Sequence, residues 1–241
     1  MNARSVPWGV ALLVLVAGGA GFLAFEMTRA RHVAVPIPPS TPVVDAAGAA
    51  GNADAPAAEP PPTAPRTIPE TLPAFTLPDR DGVPRQLSHW RDRPLMVNFW
   101  ATWCAPCRRE IPLLRQLRRE RTADGLEVIG IAVDERPAVL DYARKIGIDY
   151  PLLIGEQGGM DAAAAFGMDV VFPFTIFADR AQRIVTVKVG ELHADEASFI
   201  LDRIDDVDAH RLALPAAQAQ IADRLRELAV ARARREQTPA F

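Results

Sequence analysis

Two cysteines, Cys104 and Cys107, are the only thiols in the 241-residue chain, and they define the chemistry open to it. A Cys-x-x-Cys pair lets one sulfur attack a disulfide and the other resolve the mixed disulfide that forms. A disulfide framework would spread more cysteines along the chain. A zinc site would need a second pair or histidines at ligand spacing, and His32, His89, His193 and His210 stand apart. Two thiols can also hold Cu(I), a soft ion. A purely structural bridge at a helix start is the plainest alternative.

The neighbours of the pair favour exchange chemistry. Residues 95–100 are a short apolar run, as expected of a buried strand, and the motif then opens a helix reaching about residue 121. Free N–H groups and the positive end of the backbone dipole at such a helix start favour a thiolate. Position assigns the roles: Cys104 at the tip is expected to be exposed and to attack, and Cys107 one turn inside is expected to be buried and to resolve. Pro106 suits a first turn, where a missing N–H costs little. Trp103 flanks the outer sulfur and limits access to it.

Glu110 follows Cys107 by three positions and shares its helix face. A carboxylate there raises thiol pKa values and can exchange a proton with the resolving cysteine; the alternative is a solvated acid favoured by the dipole alone. Ala105 and Pro106 bring no cation between the sulfurs. With Glu110 opposing negative charge, the thiolate is weakly stabilised, which points to a low potential and a reductant. Arg108 or Arg109 would work the other way if turned toward Cys104.

The elements that must hold this motif read as an α/β fold. Residues 75–77 and 86–87 read as a hairpin around an Asp-Gly turn. Strands follow at 95–100, 127–133, 151–154, 174–177 and 184–189, and helices at 137–146, 161–166 and 195–204. A short polar turn at 178–183 makes the last two strands an antiparallel edge. Helical composition returns at 214–235, where Ile221, Leu225 and Leu228 form a stripe. That helix is expected to pack on the domain or on a neighbour, or to lie basic side down on a membrane surface.

The amino-terminal third is different. Residues 6–25 carry no charge and would span roughly 30 Å as a helix, the thickness of a bilayer core. An uncleaved anchor is favoured over a cleaved signal peptide, since the apolar run is long and passes into Glu26-Met27-Thr28-Arg29 without a clear cleavage site. Residues 33–71 are rich in alanine and proline and read as an extended tether. The expected organisation is an anchor at 1–32, a linker at 33–71, a folded domain at 72–207 and a helical tail at 208–241. The 27 basic and 30 acidic residues nearly cancel, which gives no reason to expect nucleic acid.

The run Trp100-Ala101-Thr102-Trp103-Cys104-Ala105-Pro106-Cys107 resembles the active site of the thioredoxin superfamily. Pro112 matches the proline that kinks the active-site helix there. Pro173 matches the cis-proline beside the redox pair, with Phe172 before it. Within the superfamily the chain resembles the membrane-anchored TlpA/ResA type of disulfide reductase. Asn98 stands where thioredoxin has a buried acid, Glu110 follows the motif, and residues 134–150 supply an inserted helix. The resemblance covers about residues 72–204. It implies a thioredoxin-like fold with an N-terminal hairpin and an inserted helix, and a catalytic set of Cys104, Cys107 and Glu110. Substrate contacts would come from Trp103, Pro106, Phe172 and Pro173, and no cofactor or metal is implied beyond the Cys104–Cys107 disulfide.

The resemblance also implies a single-pass protein of the bacterial cytoplasmic membrane with its domain in the periplasm or outside, fed by a membrane thiol donor. Its substrates would be protein disulfides such as those of apocytochrome c or a copper-site protein. Phe174, Phe172 and the glycine-free turn at 179–183 depart from the pattern. Phe172 and Phe174 would fall where a substrate lies, so they bear on partner identity. Two alternatives remain. A peroxiredoxin-like peroxidase would want Thr-x-x-Cys, whereas the order here is Thr102-Trp103-Cys104. A copper carrier or binding module would use the same two thiols without turnover.

Overall fold

The computed structural model describes residues 67–168 and 171–237; the expected anchor at 6–25 and most of the expected linker lie outside them. No helix among the described residues is long and apolar enough to cross a membrane. The described chain runs β1 (Leu77–Pro78), β2 (Pro84–Arg85), β3 (Leu95–Trp100), α1 (Ala105–Glu120), β4 (Glu127–Ala132), α2 (Arg136–Ile146), β5 (Leu152–Ile154), α3 (Glu156–Ala165), β6 (Phe174–Ala178), β7 (Ile184–Val189), α4 (Ala194–Asp208) and α5 (Leu214–Gln237).

Five strands form one mixed sheet in the order β5-β4-β3-β6-β7. β3 lies at its centre, parallel to β4 and antiparallel to β6. β7 closes the antiparallel edge expected from the short turn. That turn manages without glycine because Gln182 takes the left-handed conformation, at φ 63°.

Alternation along β3 sorts its side chains between two cores. Met96 and Trp100 face a cluster with Ile111, Leu114, Val139, Ile200 and Ile204, from α1, α2 and α4. Leu95, Val97 and Phe99 face the other cluster, with Ala162, Ala163 and Phe166 around α3. Burial on both faces explains why β3 and β4 are buried throughout and are mainly apolar, with Asn98 and Glu127 the exceptions.

Two elements differ from expectation. The hairpin pairs only Leu77 with Arg85 and Pro78 with Pro84, two residues further in than predicted. The Asp79 carboxylate accepts the N–H groups of Asp81 and Val83, each at 2.9 Å, and so draws the turn tight. Leu87 turns away into a 3-10 turn, Leu87–Trp90. Helix α3 begins five residues earlier than predicted, through Gly158 and Gly159. Helix propensity disfavours such a pair, but a Cβ at Gly158 would meet Leu77 Cδ2 at 2.8 Å, and one at Gly159 would meet Val133 Cγ2 at 2.9 Å. The glycines let α3 lie against the sheet.

Helix α5 packs on the domain. Ala217 and Ile221 are fully buried, with Leu214 and Leu225 partly so against the same core. This agrees with the domain-packing alternative for its apolar stripe.

Candidate active site

β3 delivers the chain to the redox pair, and α1 begins on it. Cys104 is the N-cap of α1 and Pro106 lies in the first turn. The two sulfurs are joined in a disulfide of 1.98 Å, with the Cα atoms 5.3 Å apart. The Cys107 N–H points at Cys104 Sγ, 3.3 Å away. An N–H aimed at this sulfur from a helix start is the donor that would stabilise a Cys104 thiolate.

Cys107 is fully buried, as expected. Cys104 is not exposed as predicted, for it is only 4% accessible. The bond to Cys107 and the cap contact both draw its sulfur over the helix end, and Trp103, 67% exposed, stands at the surface instead. Pro112 lies inside α1.

Glu110 is buried, at 1% accessibility, which rules out the solvated alternative. Its Oε1 accepts the Asn98 amide at 2.7 Å, and its Oε2 accepts the Leu192 N–H at 2.7 Å. Burial pushes its carboxyl up to about 7, partly offset by these two donors. Asn98 is held in turn by Thr175, whose hydroxyl accepts its amide at 3.0 Å; the two face each other across β3 and β6. Arg109 turns away from the sulfurs and grips the Glu191 carboxylate, with its Nε at 2.9 Å from Oε2. Its charge is therefore committed next to Glu110's neighbour rather than to Cys104.

The Phe172–Pro173 peptide bond is cis, with Phe172 half-buried and Pro173 buried. The Trp103 and Phe172 rings lie 6.2 Å apart. They border a cleft of about 530 Å³ whose other walls include Val133, Asp134 and Met160. Phe174 does not line this cleft, contrary to expectation. It is fully buried and stacked on Phe99 at 4.4 Å, because strand alternation sends it to the α3 face. Phe172 alone of the two departures lies on the accessible side.

The Thr102 hydroxyl is bound to Asp134 at 2.5 Å, and its N–H reaches the same oxygen at 2.9 Å. The hydroxyl is thereby spent on the β4–α2 loop.

Thr175, Leu192 and Asp134 were missed by sequence reasoning. Thr175 carried a faint signal, a lone polar residue in an apolar strand. A backbone N–H such as that of Leu192 leaves no signature at all.

The family model described as AhpC/TSA family matches residues 68–203. The thiol-disulfide oxidoreductase ResA of Geobacillus thermodenitrificans is 28% identical over 133 residues, 55% of this chain and 75% of that protein. The ResA of Bacillus subtilis is 30% identical over 122 residues, 50% and 66% of the two chains. Among solved structures, a secreted thiol-disulfide isomerase from Corynebacterium glutamicum superposes with a TM-score of 0.52 at 28% identity, covering 56% of this chain and 85% of its own. A thioredoxin-family thiol:disulfide interchange protein from Chlorobium tepidum gives 0.50 at 29% identity, over 58% and 96%.

Proposed function

The chain belongs to the AhpC/TSA family and is a thiol–disulfide oxidoreductase of ResA-like, thioredoxin type; we propose that it works as a reductant of protein disulfides outside the cytoplasmic membrane. The observation that carries this is the cysteine pair at the start of α1 with a buried, proton-holding carboxyl three residues on.

In the dithiol form, the Cys104 thiolate attacks one sulfur of the substrate disulfide. A Cys104–substrate bond forms, the substrate S–S bond breaks, and one substrate thiolate leaves. The Glu110 carboxylate takes the Cys107 proton. The Cys107 thiolate then attacks Cys104 Sγ, closing the 104–107 disulfide and releasing the second substrate thiolate. Two electrons pass to the substrate, and each released thiolate takes up a proton from water or from Glu110. A dithiol donor at the membrane returns the pair to its reduced state. In this scheme the Cys104–Cys107 pair carries both electrons.

Trp103, Pro106, Phe172 and Pro173 would form the platform for the substrate segment. The substrates of this reading are the disulfide forms of apocytochrome c cysteines awaiting haem or of the cysteines of a copper-site protein. The peroxidase alternative is disfavoured by Thr102, whose hydroxyl is engaged by Asp134 instead of facing a peroxide at Cys104.

Replacement of Cys107 with serine tests the proposal. Cys104 should then hold its substrate as a stable mixed disulfide, recoverable from membrane extracts and released by reductant. A trapped cytochrome precursor or copper-site protein supports the reading; an empty Cys104 in a folded variant refutes it. Direction has its own test. Equilibration with glutathione buffers should place the 104–107 couple nearer the roughly −270 mV of thioredoxin than the roughly −120 mV of strong oxidants. A value at the oxidising end would exclude the reductant role.

A further inference from the structure

The segment 190–193, between β7 and α4, touches the redox site at three points. Gly190 donates its N–H to the Pro173 carbonyl at 2.8 Å. Glu191 holds Arg109, and Leu192 donates to Glu110 at 2.7 Å. The segment's far end is fastened by one buried carboxylate. Glu196 is 3% exposed; its Oε2 accepts the His193 N–H at 3.1 Å and lies 3.6 Å from Lys188 Nζ. Its Oε1 is taken by Arg232 on α5, whose other amino group lies 3.5 Å from Asp195. Lys188 is already shared, donating to the carbonyls of Val189 and Glu191 at 3.0 Å each.

Removing one partner of a buried charge pair leaves the other charge uncompensated, which is strongly unfavourable. Without Arg232, Glu196 Oε1 loses its partner, and only Lys188, 3.6 Å away and shared with two carbonyls, remains to balance the charge. The weaker hold on the His193 N–H and on Lys188 loosens residues 190–193.

We infer that Arg232, on a helix beyond the 68–203 family match, is a positioning residue of the redox site: it fastens the segment that keeps the Leu192 N–H on the Glu110 carboxylate. The inference rests on Glu110 belonging to that site. Beside Cys107, which shares its helix face by spacing, the groups that bear on Glu110 are Asn98 from β3 with Thr175 behind it, Tyr150 before β5, Lys188 from β7, and Glu191 with the Leu192 N–H. Only the last three lie on or beside the fastened segment.

The test is Arg232→Gln in the full chain, with Arg224→Gln as control, since Arg224 pairs with Glu227 on the exposed side of the same helix. Amide hydrogen exchange at Leu192 should quicken by about tenfold or more in R232Q, while amides in the middle of β3 keep their rates. The Glu110 carboxyl, followed by carbon NMR, should titrate at higher pH, since a donor to its charged form has weakened. R224Q should change neither. If R232Q fails to fold, Glu196→Gln carries the same test, because glutamine suits the capping position but cannot pair by charge with Arg232. Unchanged exchange at Leu192 and an unchanged Glu110 titration in either folded variant would overturn the inference. Leu192 exchange does not depend on whether Glu110 moves a proton, so failure of that reading is separable.

Discussion

Cys104→Ser should abolish reduction of a disulfide-bonded peptide, lowering kcat/KM by about a thousandfold or more, while leaving the fold intact. The two halves of that expectation come from different properties of one position. As a nucleophile, a serine hydroxyl is unionised near neutral pH and cannot form the mixed disulfide. As a helix cap, serine is among the preferred residues, and its oxygen can accept the Cys107 N–H that now points at Cys104 Sγ. Turnover assays beside a thermal melt of the reduced proteins would separate the two. A variant that melts with the reduced wild type and retains turnover would remove Cys104 from the chemistry.

The second large effect is expected at Glu110. Glu110→Gln should slow closure of the 104–107 disulfide from the mixed intermediate by about a hundredfold above pH 7. It should also erase the rise in that rate expected of the wild type as its carboxyl ionises near 7. Stopped-flow measurement of the closing step across pH 5 to 9 would check both. A pH profile unchanged by the substitution would remove Glu110 as the proton acceptor.

Stability should move in the opposite sense. The folded carboxyl titrates above its ordinary value of 4.5, at about 7, so the folded state holds this proton longer than the unfolded state does. That contribution is fully present below 4.5 and is lost as pH rises through 7. Glutamine is shaped like the protonated acid and never ionises. The stability of the variant relative to wild type should therefore rise by about 3 kcal/mol from pH 4 to pH 8, measured by urea unfolding of the oxidised forms. Buried here, the carboxylate costs stability while serving the exchange step.

Sequence and structure agree where a strong local signal meets a simple packing demand. The run 95–100 is buried on both faces and reads as what it is. The Cys-x-x-Cys opens a helix as its surroundings require, and Phe172–Pro173 is cis as the order of motifs implied. Disagreement falls where a tertiary contact outweighs local preference. Gly158 and Gly159 look like a break in a helix and are instead where it packs tightly against Leu77 and Val133. Cys104 looks like an exposed tip and is drawn inward by its own bond.

The partners of Glu110 show a different kind of illegibility. Glu110 itself is visible as a helix-face neighbour of Cys107. Its hydrogen bonds come from residues 12 and 82 positions away, one of them a main-chain group, and no spacing rule links them. The same holds for Arg232, which reads as one more arginine on a basic helix until Glu196 is seen beneath it.

The final helix bears on where the folding unit ends. Ala217 and Ile221 share a core with Ile200, Leu201 and Ile204, whereas recognisable likeness to the family ends at residue 203. The stretch that matches the family and the stretch that folds together are thus of different length. A change on the inner face of the last helix must be met by a change on the helix before it.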